Sequence, residues 1–176
     1  ILNNNGSGIL VYAESSPLIE NCLLTNHWSS GTTIHCGSNS NPLIVNTTIT
    51  QNRLGLHCSW DSSPIIKNTI IWGNTDVYHG SGENNPQISF SLLEEFPSEG
   101  TDGGNNLYVN PLFVDPDDED YHLSDYSPCI GAGTLDGAPD TDIEGNPRPN
   151  PEGSMPDIGA YENTLGIPLH GGPVYY

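Results

Sequence analysis

One phrase recurs along this chain. SSPLIENCLLTN begins at Ser15, SNPLIVNTTITQN at Ser40 and SSPIIKNTIIWGN at Ser62, and a weaker copy, NNPQISFSLLEE, begins at Asn84. The prolines of the four copies, Pro17, Pro42, Pro64 and Pro86, are spaced by 25, 22 and 22 residues. A fixed period of this size means that each copy is one structural unit that cannot bury itself alone.

The segments between turn residues are short and β-branched or apolar, as in GILVY, TTIHC, PLIVN, GLHC and TIIW, and no helical period is sustained. About three short strands per repeat and no helix suit one coil of a solenoid, not a propeller blade or a helix pair. The expected fold is all-β: a single-stranded right-handed parallel β-helix of about 22 residues per coil, followed by an irregular C-terminal capping module. The expected divisions are coils over 1–96, a capping module over 97–162 and a tail over 163–176.

Stacking places equivalent residues above one another at about 4.8 Å. Asn21, Asn46 and Asn68, each four residues after its proline, should form a corner ladder. Strand alternation separates Ile19, Ile44 and Ile66 from Leu18, Leu43 and Ile65, and the isoleucine set is expected inside. Phe90 takes the asparagine position in the fourth copy, as a degenerate terminal coil would. ILNN at Ile1 matches ITQN and IIWGN, so the first coil is entered partway, and either earlier coils were removed or something else covers its edge.

The 22 acidic against 3 basic residues give a net charge of −19, which repels nucleic acid and anionic membranes. No apolar run approaches the length of a spanning helix, and the first residues lack a leader pattern, so no membrane insertion is expected. Four cysteines without CxxC spacing leave the redox compartment open.

From Asn105 the texture changes to NNLYVNPLFVDPDDEDYHLSDYSPCIGAG and then DTDIEGNPRPNPEGSMPDIGAYE. With the SSPxIxNxxI repeats before it, this resembles the C-terminal part of secreted prokaryotic right-handed parallel β-helix proteins of the pectate-lyase-like superfamily, over about Gly8 to Glu162. The resemblance implies the architecture and a secreted or cell-surface setting. It implies no single activity, since such proteins include lyases, hydrolases and adhesins.

The same register aligns His35, His57 and His79, with Cys36 and Cys58 beside two of them. Outward-facing imidazoles one coil apart could share a transition-metal ion, or form a solvated, hydrogen-bonded ladder. The two cysteines would point inward, where parallel Cβ vectors favour packed thiols over a disulfide. Cys22 and Cys129 read as buried packing residues.

DTDIEG puts Asp140, Asp142 and Glu144 before Gly145 in the order of a calcium loop, although the twelfth position is Pro151 and excludes a complete EF-hand. A partial calcium site, drawing on Asp157 or the Asp115 to Asp120 run, stands against a charged turn with Arg148 pairing locally. Calcium is the one cofactor the sequence suggests. Trp60, Trp72 and Tyr78, with Trp28, fall near turns, where rings either stack on sugars or pack the corner.

Lyases of uronates need a cation and a base, yet Arg53, Lys67 and Arg148 are the whole basic complement. Hydrolases need a fixed carboxyl pair, and Glu14, Asp61, Asp76 and Glu83 are scattered over successive turns. The chain therefore leans away from catalysis. The reading is a non-catalytic domain with structural, adhesive or carbohydrate-contacting roles, its partners polysaccharides or surface proteins. The alternatives are a fragment of a lyase or hydrolase whose active coils lie upstream, and a head-to-tail filament subunit whose open edge is covered by the tail HGGPVYY of another copy.

Overall fold

The computed structural model describes residues 7–28 and 31–170. The ILNN match at Ile1 and all of the HGGPVYY tail but its first residue lie outside the described residues.

Each copy folds into one coil of three short strands. The first coil holds β1 (Ile9–Val11), β2 (Leu18–Glu20) and β3 (Leu23–Thr25), and the second β4 (Ile34–Cys36), β5 (Leu43–Val45) and β6 (Thr48–Thr50). The third holds β7 (Leu54–Ser59), β8 (Ile65–Lys67) and β9 (Ile70–Trp72), and the fourth β10 (Asp76–Ser81), β11 (Gln87–Ser89) and β12 (Leu92–Leu93). Stacking the coils generates three parallel sheets: β1-β4-β7-β10, then β2-β5-β8-β11, then β3-β6-β9-β12. The 22- to 25-residue period is thus the rise of one coil, and the chain is an all-β parallel solenoid.

Register fixes the core. Ile19, Ile44, Ile66 and Ile88 are paired in sequence and buried, facing Ile34, Leu56, Cys36 and Cys58 across the interior. Leu18 and Ile65 face outward and are exposed, as strand parity requires. Cys36 and Cys58 are buried free thiols, stacked one coil apart.

The corner between the second and third sheets explains the asparagines. Asn21, Asn46 and Asn68 all have left-handed backbones, with φ of 49°, 45° and 48°. Asparagine tolerates this conformation better than most residues. The amide of Asn68 also donates from Nδ2 to Oδ1 of Asn46 at 3.2 Å. The next residue closes the turn: Thr47 and Thr69 hydroxyls donate to the carbonyls of Val45 and Lys67, and Cys22 Sγ does the same toward Glu20. Phe90 keeps the left-handed backbone, and its N–H donates to Gly104. The coil does not stop there, because β13 (Thr101–Asp102) adds a further parallel strand to β11 through a shortened loop.

Two more ladders line the other corners. Asn52 and Asn74 are buried, and their amides donate to Leu24 and Ile49 carbonyls in the coil before. Ser40, Ser62 and Asn84 pass hydrogen bonds down the stack in the same way. Turn N–H groups buried by the next coil are thereby satisfied.

The C-terminal module begins on the end of the coils, where β13 pairs with β11 and Leu107 bridges Leu92, and then turns along their flank. It carries an antiparallel pair, β14 (Phe113–Asp115) and β15 (Asp120–Leu123), joined by a short 3-10 turn, and then runs without regular strands along the flank of the third sheet. Outward residues Ile70 and Leu92 pack there with Leu123, Cys129, Ile130 and Ile158 in a second apolar core. The asparagine ladder pegs the two parts together: Asn46 Nδ2 donates to Asp157 O, Asn68 Nδ2 to Thr134 O, and Gly159 N to Asn68 O. Gly159 has φ of +110°, and a Cβ there would lie 2.7 Å from Ile70 Cδ1, so only glycine lets the module approach. Residues beyond 162 continue this packing, with Asn163 donating to Leu123 O and Leu169 to Asp125 O.

Candidate functional site

The histidines form the column that the repeat implies, on the outward face of the first sheet. His35 pairs with His57 and His57 with His79. The first two rings are stacked, with centroids 4.2 Å apart and planes 14° from parallel, and His79 meets His57 edge-on at 5.0 Å. Hydroxyls hold the first ring: Tyr12 lies 3.0 Å from His35 Nδ1 and Ser59 lies 3.0 Å from Nε2. His57 Nε2 is buried without a hydrogen-bond partner.

Burial first, then the neighbouring imidazoles His35 and His79, push His57 down to about 4, and burial lowers His35 as well. The middle of the column is therefore neutral at pH 7. Two face-to-face rings direct their nitrogen lone pairs along parallel planes, whereas a shared metal ion needs them to converge. Among the described residues no group of three or more His, Cys, Asp or Glu side chains is arranged to hold a metal ion.

A folded pKa below the ordinary histidine value means that the unfolded chain binds more protons between the two values. His57 thus contributes stability that is present above about pH 6.5 and lost as pH falls through about 4. The expected result is an NMR titration midpoint near 4 for the His57 ring, rising toward the ordinary value in a His35→Ala, His79→Ala double variant. A midpoint above 6 in the unaltered chain would contradict the stacked geometry.

Trp60 sits beside this column. It occupies a left-handed corner position, is 63% exposed, and meets Tyr12 edge-on at 6.3 Å. The first sheet thus presents a row of rings, Tyr12, His35, His57 and His79, ending against an open indole. Tyr78 is not part of it. Its register partner is Leu56, so parity turns it into the core, where its hydroxyl is buried beside the Cys58 thiol. Trp72 lies on the opposite flank, half-buried against the C-terminal module.

The Asp140 loop is closed by its own hydrogen bonds. Asp142 is buried and its oxygens accept N–H bonds from Glu144, Asn146 and Glu162 and from the Asn146 amide. Burial works to raise this carboxyl, but the hydrogen bonds from Asn146, Glu162 and Glu144 outweigh it and hold it low. Asp140 is exposed, and Glu144 turns outward to His122 Nε2 at 3.2 Å. Asp120 binds the other ring nitrogen of His122 at 2.6 Å, so the imidazole sits between two carboxylates. Burial disfavours its charge, yet the bonds to Asp120 and Glu144 win and raise its pKa.

Beneath the loop lies a charge cluster that the spacing does not reveal. Arg148 and Glu162 form a fully buried pair, Nε to Oε2 3.0 Å, and Arg148 Nη2 donates to Ala160 O. Asp157 accepts from Gly131 and Asn163 N–H groups, and burial together with the Glu162 charge pushes its carboxyl up to about 7. The cation among these acids is the guanidinium. Calorimetric scans with calcium and with chelator test whether the loop also takes an ion: a rise of several degrees with calcium would make it an ion site, and an unchanged melting temperature would leave a hydrogen-bonded turn.

Three parallel sheets built coil on coil, with polar ladders at the corners, define a parallel β-solenoid. Residues 1–94 match the family model described as the right handed beta helix region, and the chain belongs to that family. No curated protein and no solved structure matches it significantly.

Proposed function

We propose that this chain is a non-catalytic β-helix domain of a secreted or cell-surface protein, and that it contacts carbohydrate through the outward face of its first sheet. The observation that carries this reading is the row Tyr12, His35, His57 and His79 ending at the open ring of Trp60. The exposed indole of Trp60 offers a face on which a sugar ring can stack, and the rings beside it, stacked on or edge-on to one another, present their edges. The setting outside the cell rests on the terminal NPLFVDP to DIGAYE signature.

The basic groups support a binding role over uronate cleavage. Lys67 is paired with Asp136 and Arg148 is buried against Glu162, so Arg53 is the one basic side chain left outside an ion pair among the described residues. Neutral glycans suit the surface better than acidic ones, because a charge of −19 repels polyuronates.

Calorimetric titration with a panel of neutral and acidic polysaccharides tests the reading. The expected result is saturable binding to a neutral glycan, weakened about tenfold in Trp60→Ala, equal to about 1.4 kcal/mol. Absence of binding across the panel, or cleavage of any glycan in it, would overturn the proposal.

A further inference from the structure

The seam between the solenoid and the C-terminal module encloses a cleft of about 300 Å³, on the opposite flank from the histidine row. Thr50, Gln51 and Trp72 contribute from the coils, and Asn110, Phe113 and Pro116 from the module. The volume lies at the lower end of the range for small-molecule sites, enough for about one six-membered sugar ring.

The walls are held in place. Gln51 Nε2 donates to Pro116 O at 3.1 Å, while its Oε1 accepts from the Tyr121 hydroxyl at 2.9 Å. That hydroxyl lies 3.0 Å from Thr25 Oγ1, so one chain of hydrogen bonds ties the coil to the module behind the cleft. Trp72 packs on one side against the second apolar core and on the other lines the opening. A fixed indole at the wall of a seam and a rim amide at Asn110 combine an apolar stacking face with polar groups at its edge.

Charge narrows the ligand. None of the residues lining the cleft is ionisable, in a chain with 22 acidic residues. No Lys or Arg is there to receive a carboxylate or phosphate, and no carboxylate is there to hold a cation. Asp115, Asp117 and Asp118 flank the lining residue Pro116 in the acidic turn, which disfavours anions further. What matches is a neutral, hydroxyl-rich ring with one apolar face.

We propose that this cleft is a subsite for a single neutral pyranose unit, stacked on Trp72 and hydrogen-bonded at its rim through Asn110. It rests on the carbohydrate reading above for its ligand class but uses a different face, so the two can fail separately.

The test is amide and indole NMR of the intact chain during titration with methyl β-glucopyranoside, methyl α-mannopyranoside, methyl β-galactopyranoside and, as the acidic counterpart, methyl α-galacturonoside. The expected result is saturable displacement of the Trp72 indole and Asn110 amide signals by a neutral glycoside, with the uronide at least about tenfold weaker. Val114→Glu places a charge at the exposed rim of the cleft without touching the core, and is expected to weaken that response about tenfold at an unchanged melting temperature. Shifts confined to Tyr12 and Trp60 would overturn the cleft and leave the first-sheet reading standing. Shifts at Trp72 alone would do the reverse. A response at Trp72 that survives Val114→Glu unchanged, or no response to any neutral glycoside, would overturn the cleft.

Discussion

Arg148→Met is expected to destabilise the chain by about 3–5 kcal/mol, because it leaves the buried Glu162 carboxylate without its cation. The pair is closed to solvent on both sides, so water cannot compensate for the loss. Asp142 and Asp157 lie in the same cluster, and the arginine charge attracts all three acids. For a chain of this length the melting temperature should fall on the order of 10 °C.

The deficit should also depend on pH, in a direction fixed by the carboxyls. Burial already raises Asp157 to about 7 and raises Glu162 against the pull of Arg148. A folded carboxyl pKa above the unfolded value contributes stability that is full below about pH 4 and is lost as pH rises through about 7. Removing the guanidinium raises both carboxyls further, so the variant should be closest to the parent in mild acid and furthest from it near pH 8. Calorimetry at pH 5 and pH 8 checks this, and a deficit of equal size at both would contradict it.

Ile66→Ala is the second large effect, expected to cost about 2–5 kcal/mol. Ile66 is fully buried, with Ile44 on one side and Ile88 on the other in strict register. Both neighbours are held by parallel ladders, so the coils cannot close over the missing carbons, and the value should fall in the upper half of that range. Ile65→Ala, one residue away and 40% exposed, should cost under about 1 kcal/mol. Chemical denaturation of the two variants side by side tests strand parity directly, and equal losses would mean that the assignment of faces is wrong.

The coils were legible in the sequence because their marks recur. Proline and asparagine at fixed offsets set the register, and the register alone put His35, His57 and His79 in one column. The same parity places Tyr78 inside, since His79 aligns with His57 and its neighbour must align with Leu56. Reading Tyr78 as a turn aromatic by position alone missed this.

The seat of the C-terminal module was not legible in the same way. Its anchors join Asn46 to Asp157 and Asn68 to Gly159, positions far apart in sequence whose pairing has no period. One sign was present. In TTIT and TIIW both strand faces are apolar or hydroxylated instead of alternating, and Thr48, Ile49, Ile70 and Ile71 are all buried. A sheet covered on its outer side reads this way. The acidic spacing at Asp140 forms an Asx-closed turn, in which Asp142 accepts N–H groups from Glu144 and Asn146. Arg148 reads in the sequence as pairing locally in a charged surface turn, and what gave no signal is its burial against Glu162, since a lone arginine in an acidic stretch usually lies on the surface.

The module and the coils form one body, joined along the third sheet, and the same junction creates the Trp72 cleft. Hydrogen exchange followed by mass spectrometry tests it most directly, comparing segments around Thr48–Thr50 and Ile70–Trp72 with the module segment from Cys129 to Glu162. Amides such as Gly159 and Ile158, bonded to Asn68 and Cys129, should be protected to the same free energy as the coil strands. Exchange of the module at loop rates while the coils stay protected would contradict it.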